Sequence, residues 1–213
     1  FETLAMGFLV FGDRSPKADL AASVALAGCA LTKFEGTFFA AAAAGIFAAF
    51  RSGVAGRARA LLRLAVLPAL ALSAWLVFCA RNGILYNYRP ATGGPLTFVN
   101  FREVLAGIAQ NVSYGAAYIP WIALAIVLAA GGLRRESLAP ALLAAAVVAS
   151  IAFYYLHGRQ DPSAWIRWSA RRTFLTPMLC LVFAASAPGD IAQHGDAHRS
   201  GISSRSPAEP VAK

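Results

Sequence analysis

The stretch Leu31-Thr32-Lys33-Phe34-Glu35-Gly36 places a lysine and a glutamate between two strongly apolar runs. One run covers residues 18–32, and the other, residues 37–50, is nearly all Ala, Phe and Ile. Each run has about 15 residues, whereas a straight membrane span needs about 20. An ionised side chain within a membrane costs several kcal/mol unless it is paired or faces water. Lys33 and Glu35 are therefore candidate functional residues.

Two structures are compatible with this stretch. In the first, residues 18–50 form a discontinuous helix whose two broken ends line a binding site, as in many transporters. In the second, the two runs form an ordinary helical hairpin, and Lys33 extends its amine to the lipid headgroups. The local sequence favours the first structure without excluding the second.

The composition predicts an all-α, polytopic transmembrane helical bundle. Hydrophobic residues make up 58% of the chain and charged residues 14%, whereas soluble domains have about 25% charged residues. Within a bilayer every backbone N–H and C=O group must be satisfied internally, which leaves helices or closed barrels. The long Ala/Leu/Val runs lack the alternation of barrel strands, so they indicate helices.

The apolar runs predict a membrane module over residues 1–187 and a disordered tail over 188–213, where little can be buried. Residues 1–12 are interpreted as the end of a helix cut at its start, so we expect the chain to be a fragment of a longer protein. An amphipathic stretch at 101–112 predicts an interfacial helix. About six membrane segments follow the stub: 18–32, 37–50, 61–79, 114–130, 139–156 and 171–187.

This pattern of segments divides the connections between two sides of the membrane. The Lys33 break and the loops at 80–113 and 157–170 fall on one side. The turns at 13–17, 51–60 and 131–138 fall on the other side, together with the tail. The predicted loop 51–60 is rich in arginine and indicates the cytoplasm, although the overall bias of Lys and Arg between the sides is small. We therefore expect the net charge of +9 to interact with anionic lipid headgroups rather than with nucleic acid.

Two motifs resemble a known family. Ala30-Leu31-Thr32-Lys33-Phe34-Glu35-Gly36 resembles the Leu-Thr-Lys-x-Glu-Gly segment of membrane glycosyltransferases of the GT-C type. The nearest group is the bacterial relatives of the dolichyl-phosphate-mannose protein mannosyltransferases (glycosyltransferase family 39). Arg171-Arg172-Thr173-Phe174-Leu175-Thr176-Pro177 is similar to the Arg-x-x-Leu-x-Pro segment near the end of that family's membrane module.

The resemblance implies a transferase of the bacterial inner (plasma) membrane. Such an enzyme takes a sugar from a polyprenyl-phosphate carrier and transfers it to a lipid, glycan or protein acceptor on the non-cytoplasmic side. Its general base would be an acidic residue of an upstream loop that this chain does not contain. The fragment would then carry only part of the donor site. No cofactor is required by the resemblance, and a role for a divalent metal is left open.

Three cations are the candidate ligands of the donor phosphate. Lys33 provides a compact charge with three hydrogen-bond donors. Arg171 and Arg172 begin a helix, where cations oppose the helix dipole, so an anion at that position would compensate them. Joint action of Lys33 and Glu35 requires local unwinding at Gly36, because residues two apart on a helix do not face each other.

Further residues are candidates for supporting roles near the donor phosphate or the sugar. They share the predicted non-cytoplasmic side or, in one case, the stub. These residues are Glu35, Gly36, Tyr88, Arg89, His157, Arg159 and Glu2. His194 and His198 resemble a metal site only superficially, because they lie in the tail without further ligands, so no metal site is predicted.

Three other interpretations remain open from the sequence. A secondary transporter also uses broken helices, and it would have an inverted repeat in its complete sequence. A polysaccharide polymerase or ligase acting on polyprenyl lipids would have a large outer loop rich in arginine. A membrane scaffold without chemistry would not need Lys33 or Glu35.

Overall fold

The computed structural model describes residues 1–32, 34–84, 101–113, 135–157, 166 and 173–187. Within these residues the chain is helical and forms no strand, which confirms the predicted all-α class. The helices are α1 (Glu2–Phe11), α2 (Pro16–Thr32), α3 (Phe34–Ala49), α4 (Val54–Arg81), α5 (Phe101–Ser113), α6 (Arg135–His157) and α7 (Leu175–Ser186).

The turn between α1 and α2 is determined by its local sequence. The Ser15 hydroxyl accepts a hydrogen bond from the Ala18 N–H at 3.2 Å, and Pro16 occupies the first helical position, where no N–H is needed. The Asp13 carboxylate accepts a hydrogen bond from the Ser15 N–H at 3.0 Å. Hydrogen bonding to the side chain and backbone of Ser15 lowers the pKa of Asp13 below its ordinary value.

Helices α2 and α3 form an antiparallel hairpin. The Thr37 hydroxyl of α3 donates to the Ala30 carbonyl of α2 at 3.1 Å, although seven residues of a continuous helix would separate these positions by about 10 Å. At the other end of the pair, Arg51 forms an ion pair with Asp19 of α2. This geometry agrees with the hairpin interpretation of the sequence rather than with an in-line broken helix. Lys33 itself lies outside the described residues.

Helices α1, α4 and α6 pack against the hairpin, and α7 packs against α6 and α1. Ser23 of α2 donates to the Leu64 carbonyl of α4 at 3.2 Å, and α4 runs parallel to α2. The hydroxyls of Tyr155 and Thr173 lie 3.3 Å apart, so the end of α6 meets the residues that precede α7. Helices α6 and α7 are therefore antiparallel.

The helix termini and turns cluster at two ends of the bundle, called the upper end and the lower end. The upper end contains the start of α1, the α2–α3 turn, the end of α6 and the start of α7. The lower end contains the α1–α2 turn, the α3–α4 connection, the start of α6 and the end of α7, where the rings of Phe11 and Phe183 lie 5.8 Å apart. For the turns that the structure describes, this division into two ends is the same as the division between two sides predicted from the sequence.

The interior of the bundle is made largely of small residues. Ala22, Ala25 and Ala43 are fully buried between α2, α3 and α4, alongside the larger Leu26 and Leu64. Small side chains let helix backbones approach closely, which is the usual packing of helices in membranes. The outer surface of α4 is apolar as well, with exposed side chains at Leu61, Leu62, Val66, Leu70, Val77 and Phe78.

Two of the described helices are long and apolar enough to cross a membrane: α4 and residues Glu136–Phe153 of α6. This count does not support the six membrane segments predicted from the sequence. Helix α1, residues Glu35–Ala49 and α7 are apolar but shorter. The predicted segment 114–130 lies outside the described residues, as does the tail at 188–213.

The arginine-rich segment 51–60 is not the loop that the sequence predicts. Helix α4 begins at Val54, so Arg57 and Arg59 lie on its first turns. The 28 residues of α4 extend about 42 Å, which exceeds the hydrocarbon thickness of about 30 Å. If α4 crosses a membrane, the arginines at its start would lie at the level of the headgroups.

Helix α5 confirms the helix predicted at 101–112. Val104 is buried, whereas Phe101 and Leu105 are exposed. Gly107 faces Ile166, because a Cβ at this glycine would lie 3.1 Å from the Ile166 Cδ1 atom. Helix α5 therefore packs against the connection between α6 and α7.

If α4 crosses the membrane, its two ends are accessible from opposite sides. Ser52 and Asn82 are exposed just outside these ends, whereas the native Cys29, Cys79 and Cys180 are buried. We expect Ser52→Cys and Asn82→Cys proteins in sealed vesicles to react with a membrane-impermeant maleimide from opposite faces. The unmodified protein is the control for native thiols. Labelling of both sites from the same face would contradict the transmembrane position of α4.

Candidate functional site

The upper end of the bundle is held by a contact between the first and last described helices. The Thr176 hydroxyl, in the first turn of α7, donates to the Glu2 carboxylate, at the start of α1, at 2.7 Å. Both residues are only partly buried. A hydrogen bond to an ionised acceptor is stronger than one between neutral groups. The contact places one sequence-predicted acid beside the second family-like motif.

The start of α1 also packs on α2 at this end. The ring of Phe1 lies over Gly28, where a Cβ would approach the Phe1 Cδ1 atom to 2.5 Å. Glu2 follows Phe1 directly and therefore lies close to the last turns of α2.

The hairpin turn depends on Gly36 through close packing. Gly36 is helical within α3, and the described glycines with positive φ are Gly53 and Gly83. The local unwinding at Gly36 that joint action of Lys33 and Glu35 would require is therefore not observed. A Cβ at Gly36 would overlap the carbonyl oxygen of Cys29. Only a glycine allows the first turn of α3 to approach α2 this closely.

Threonine hydroxyls satisfy the carbonyl groups at the end of α2. The last carbonyls of a helix have no partner within the helix. Thr32 donates to the Cys29 carbonyl at 2.8 Å, and Thr37 donates to the Ala30 carbonyl at 3.1 Å. Glu35 lies in the first turn of α3, half-buried, where a negative charge complements the helix dipole.

The structure brings only some of the predicted site residues together. Glu2, Glu35 and Gly36 all lie at the upper end. His157 is the last residue of α6, and its side chain is not described. The other predicted residues lie outside the described part of the chain: Lys33, Arg171, Arg172, Tyr88, Arg89 and Arg159.

Sequence reasoning missed a buried charge at the lower end. Asp19, in the first turn of α2, is 4% exposed and forms an ion pair with Arg51. A second guanidinium, that of Arg63, has its Nη1 atom 3.7 Å from the Asp19 Oδ2 atom. One signal for this ion pair was present in the sequence. Asp19 lies near a predicted helix start, on the same predicted side of the membrane as the arginines of segment 51–63.

The ion pairs of Asp19 connect α2 with three other parts of the fold. A carboxylate buried without a partner is strongly disfavoured. Movement of either arginine away from Asp19 would therefore destabilise the fold. Arg51 follows α3, Arg63 lies on α4, and Arg51 also donates to the Arg14 carbonyl at 3.2 Å. The interaction therefore connects α2 with the α1–α2 turn, the α3–α4 connection and α4.

No group of three His, Cys, Asp or Glu side chains suited to a metal ion occurs within the described residues. The cysteines are free and dispersed. His194 and His198 lie outside the described part of the chain.

No protein-family model, curated protein or solved structure matches this chain. The resemblance to GT-C glycosyltransferases therefore remains a prediction from the two motifs, and its functional consequences are proposals.

Replacing Gly36 with alanine tests the close approach of α2 and α3. The added Cβ would overlap a backbone oxygen, so we expect Gly36→Ala to destabilise the protein by about 1–3 kcal/mol. Gly45→Ala is the matched control, since Gly45 lies in the same helix and nothing lies within 4 Å of its Cβ position. That control should be neutral or stabilising by up to about 1 kcal/mol. Thermal unfolding in detergent measures both, and equal effects would contradict the packing role.

Replacing Thr176 tests the contact between α1 and α7. Thr176→Val keeps the shape of the side chain but removes the donor to Glu2, so we expect a loss of about 1–2 kcal/mol in unfolding free energy. Thr176→Ser retains the hydroxyl and should lose less than half as much. If the valine and serine variants unfold alike, the hydrogen bond does not stabilise the bundle.

Proposed function

We propose that this chain is part of a multi-pass GT-C glycosyltransferase of the bacterial inner membrane. The enzyme transfers a sugar from a polyprenyl-phosphate donor to an acceptor on the non-cytoplasmic side. The observation that supports this best is that both family-like motifs lie at the upper end of the bundle, where Thr176 of the second motif donates to Glu2 and Phe1 packs on Gly28, just before the first motif.

The described residues next to the predicted phosphate ligands support this assignment. Thr32 and Phe34, which flank Lys33 in the sequence, end α2 and begin α3 at the upper end. Thr173, which follows Arg172, contacts the end of α6 at the same end of the bundle. Thr176, from the same motif as Arg172, donates to Glu2. A donor site formed by the two motifs requires this common placement.

The distribution of polar groups supports a membrane location. Asp19 is buried and paired at the lower end, and Glu2 is hydrogen-bonded at the upper end. Between these levels the outer surface of α4 exposes large apolar side chains. Exposed apolar area of this extent is unfavourable in water and suits contact with lipid. About six segments of this chain are proposed to cross the membrane.

The proposed reaction is a direct displacement at the anomeric carbon of the donor sugar. The acceptor oxygen forms a bond to that carbon as the bond from the carbon to the phosphate oxygen breaks. The acceptor proton goes to a carboxylate supplied by an upstream part of the protein. Lys33, Arg171 and Arg172 stabilise the negative charge on the departing polyprenyl phosphate. Glu35, Tyr88, Arg89, His157, Arg159 and Glu2 take supporting roles around the sugar and the phosphate.

The test is the replacement of Lys33 in the full-length protein. Because Lys33 is assigned to leaving-group stabilisation, Lys33→Ala should reduce sugar transfer at least about 100-fold without loss of protein from the membrane. Transfer of labelled sugar from a polyprenyl-phosphate donor in isolated membranes measures activity, and immunoblotting measures abundance. Lys17→Ala is the matched control, since Lys17 is exposed at the lower end and should be dispensable. Undiminished turnover in Lys33→Ala would remove Lys33 from the mechanism.

A further inference from the structure

An open cavity of about 570 Å³ lies at the lower end of the bundle, away from the proposed donor site. It is bounded by the α1–α2 turn, the α3–α4 connection and the first turns of α4. Its charged lining residues are Arg14, Asp19, Arg51, Arg59 and Arg63. Its volume is within the range of about 300–1,000 Å³ that is usual for small-molecule sites.

The cavity carries more positive charge than its own acid can balance. Four guanidinium groups and one carboxylate line it, which gives a net charge of +3. Asp19 is already engaged by Arg51 and Arg63. Among the described residues, no carboxylate forms an ion pair with Arg14 or Arg59. The cavity therefore has cationic groups available for an anionic ligand.

The start of α4 adds hydrogen-bond donors to the same cavity. The N-cap residue is Gly53, and no side chain caps this helix start. The first N–H groups of a helix have no partner within the helix and attract anions. Nothing lies within 4 Å of the Cβ positions of Gly53 and Gly56, so the backbone here is open to a ligand. Both glycines line the cavity.

The backbone conformation of Arg14, which lines the cavity, is also unusual. Its φ of 58° is left-handed, a conformation that non-glycine residues adopt rarely. Its carbonyl accepts a hydrogen bond from the Arg51 Nη1 atom at 3.2 Å. The interaction holds the Arg14 turn at the cavity through the same arginine that binds Asp19.

We propose that this cavity binds a phosphate group carried on a small polar moiety. The forked donors of arginine match phosphate oxygens, and the uncapped helix start supplies further N–H donors. The cavity is larger than a phosphate ion alone requires, which leaves space for an attached glycerol or sugar. The phosphate group can come from a lipid headgroup or from a soluble phosphoester. The site is independent of the proposed transferase function.

The experiment compares two sources of phosphate in the full-length protein, purified in a neutral maltoside detergent that contains no phosphate. One arm adds glycerol 3-phosphate at constant ionic strength, and the other adds phosphatidic acid to the micelles. Thermal unfolding reports binding in both arms. We expect a saturable rise in unfolding temperature in at least one arm, and the responding arm identifies the source.

The decisive variant is Arg14→Gln/Arg59→Gln, which removes the two arginines that Asp19 does not engage. We expect the apparent dissociation constant to rise at least about tenfold, because two charge-assisted contacts are lost. Arg57→Gln is the matched control, since Arg57 is exposed on the same helix but does not line the cavity. It should change the constant less than about twofold.

Three results would overturn the proposal. In the first, neither phosphate source stabilises the wild-type protein. In the second, the double variant responds as the wild type does. In the third, Arg57→Gln weakens the response as much as the double variant does, which would indicate diffuse surface charge rather than a site.

Discussion

The arrangement of the hairpin and α4 depends on the ion pairs that the buried carboxylate of Asp19 forms with Arg51 and Arg63. The surrounding helices are rich in Ala, and small apolar side chains provide close packing but little directional information. An ion pair with two arginines does provide direction, because moving any partner leaves a charge buried and uncompensated. The first turn of α2, the second residue after α3 and the third turn of α4 are therefore held in a defined relation.

The two ends of the bundle solve the problem of polar groups in different ways. At the lower end, charges pair with each other and extend towards an open cavity. At the upper end, hydroxyl groups satisfy the helix termini, and Glu2 is held by Thr176. Gly36 matters at this end because backbone contact leaves no room for a side chain. These two polar layers with an apolar middle are the pattern expected of a protein that spans a bilayer.

Sequence reasoning predicted the all-α class and the helices near 18–32, 37–50 and 101–112, because long apolar runs with capping residues have few alternatives. It was wrong about segment 51–60, where arginines that suggest a loop lie on the first turns of α4. It did not reveal that Gly36 provides close packing rather than unwinding, since the same residue type serves both purposes. Of the about six predicted membrane segments, two meet the length requirement as helices within the described part of the chain.

The sequence by itself determined the helical class, the apolar character and the turn at Ser15-Pro16, because these follow from local capping and composition. It left the choice between a discontinuous helix and a hairpin at residues 18–50 open, and the contacts between α2 and α3 decided for the hairpin. Only the tertiary structure revealed the partners of Asp19, the contact between Glu2 and Thr176, and the cationic cavity. These contacts join residues between 32 and 174 positions apart in the chain. Such pairings depend on how helices pack in space, and a one-dimensional pattern of apolar residues does not specify which polar groups will meet.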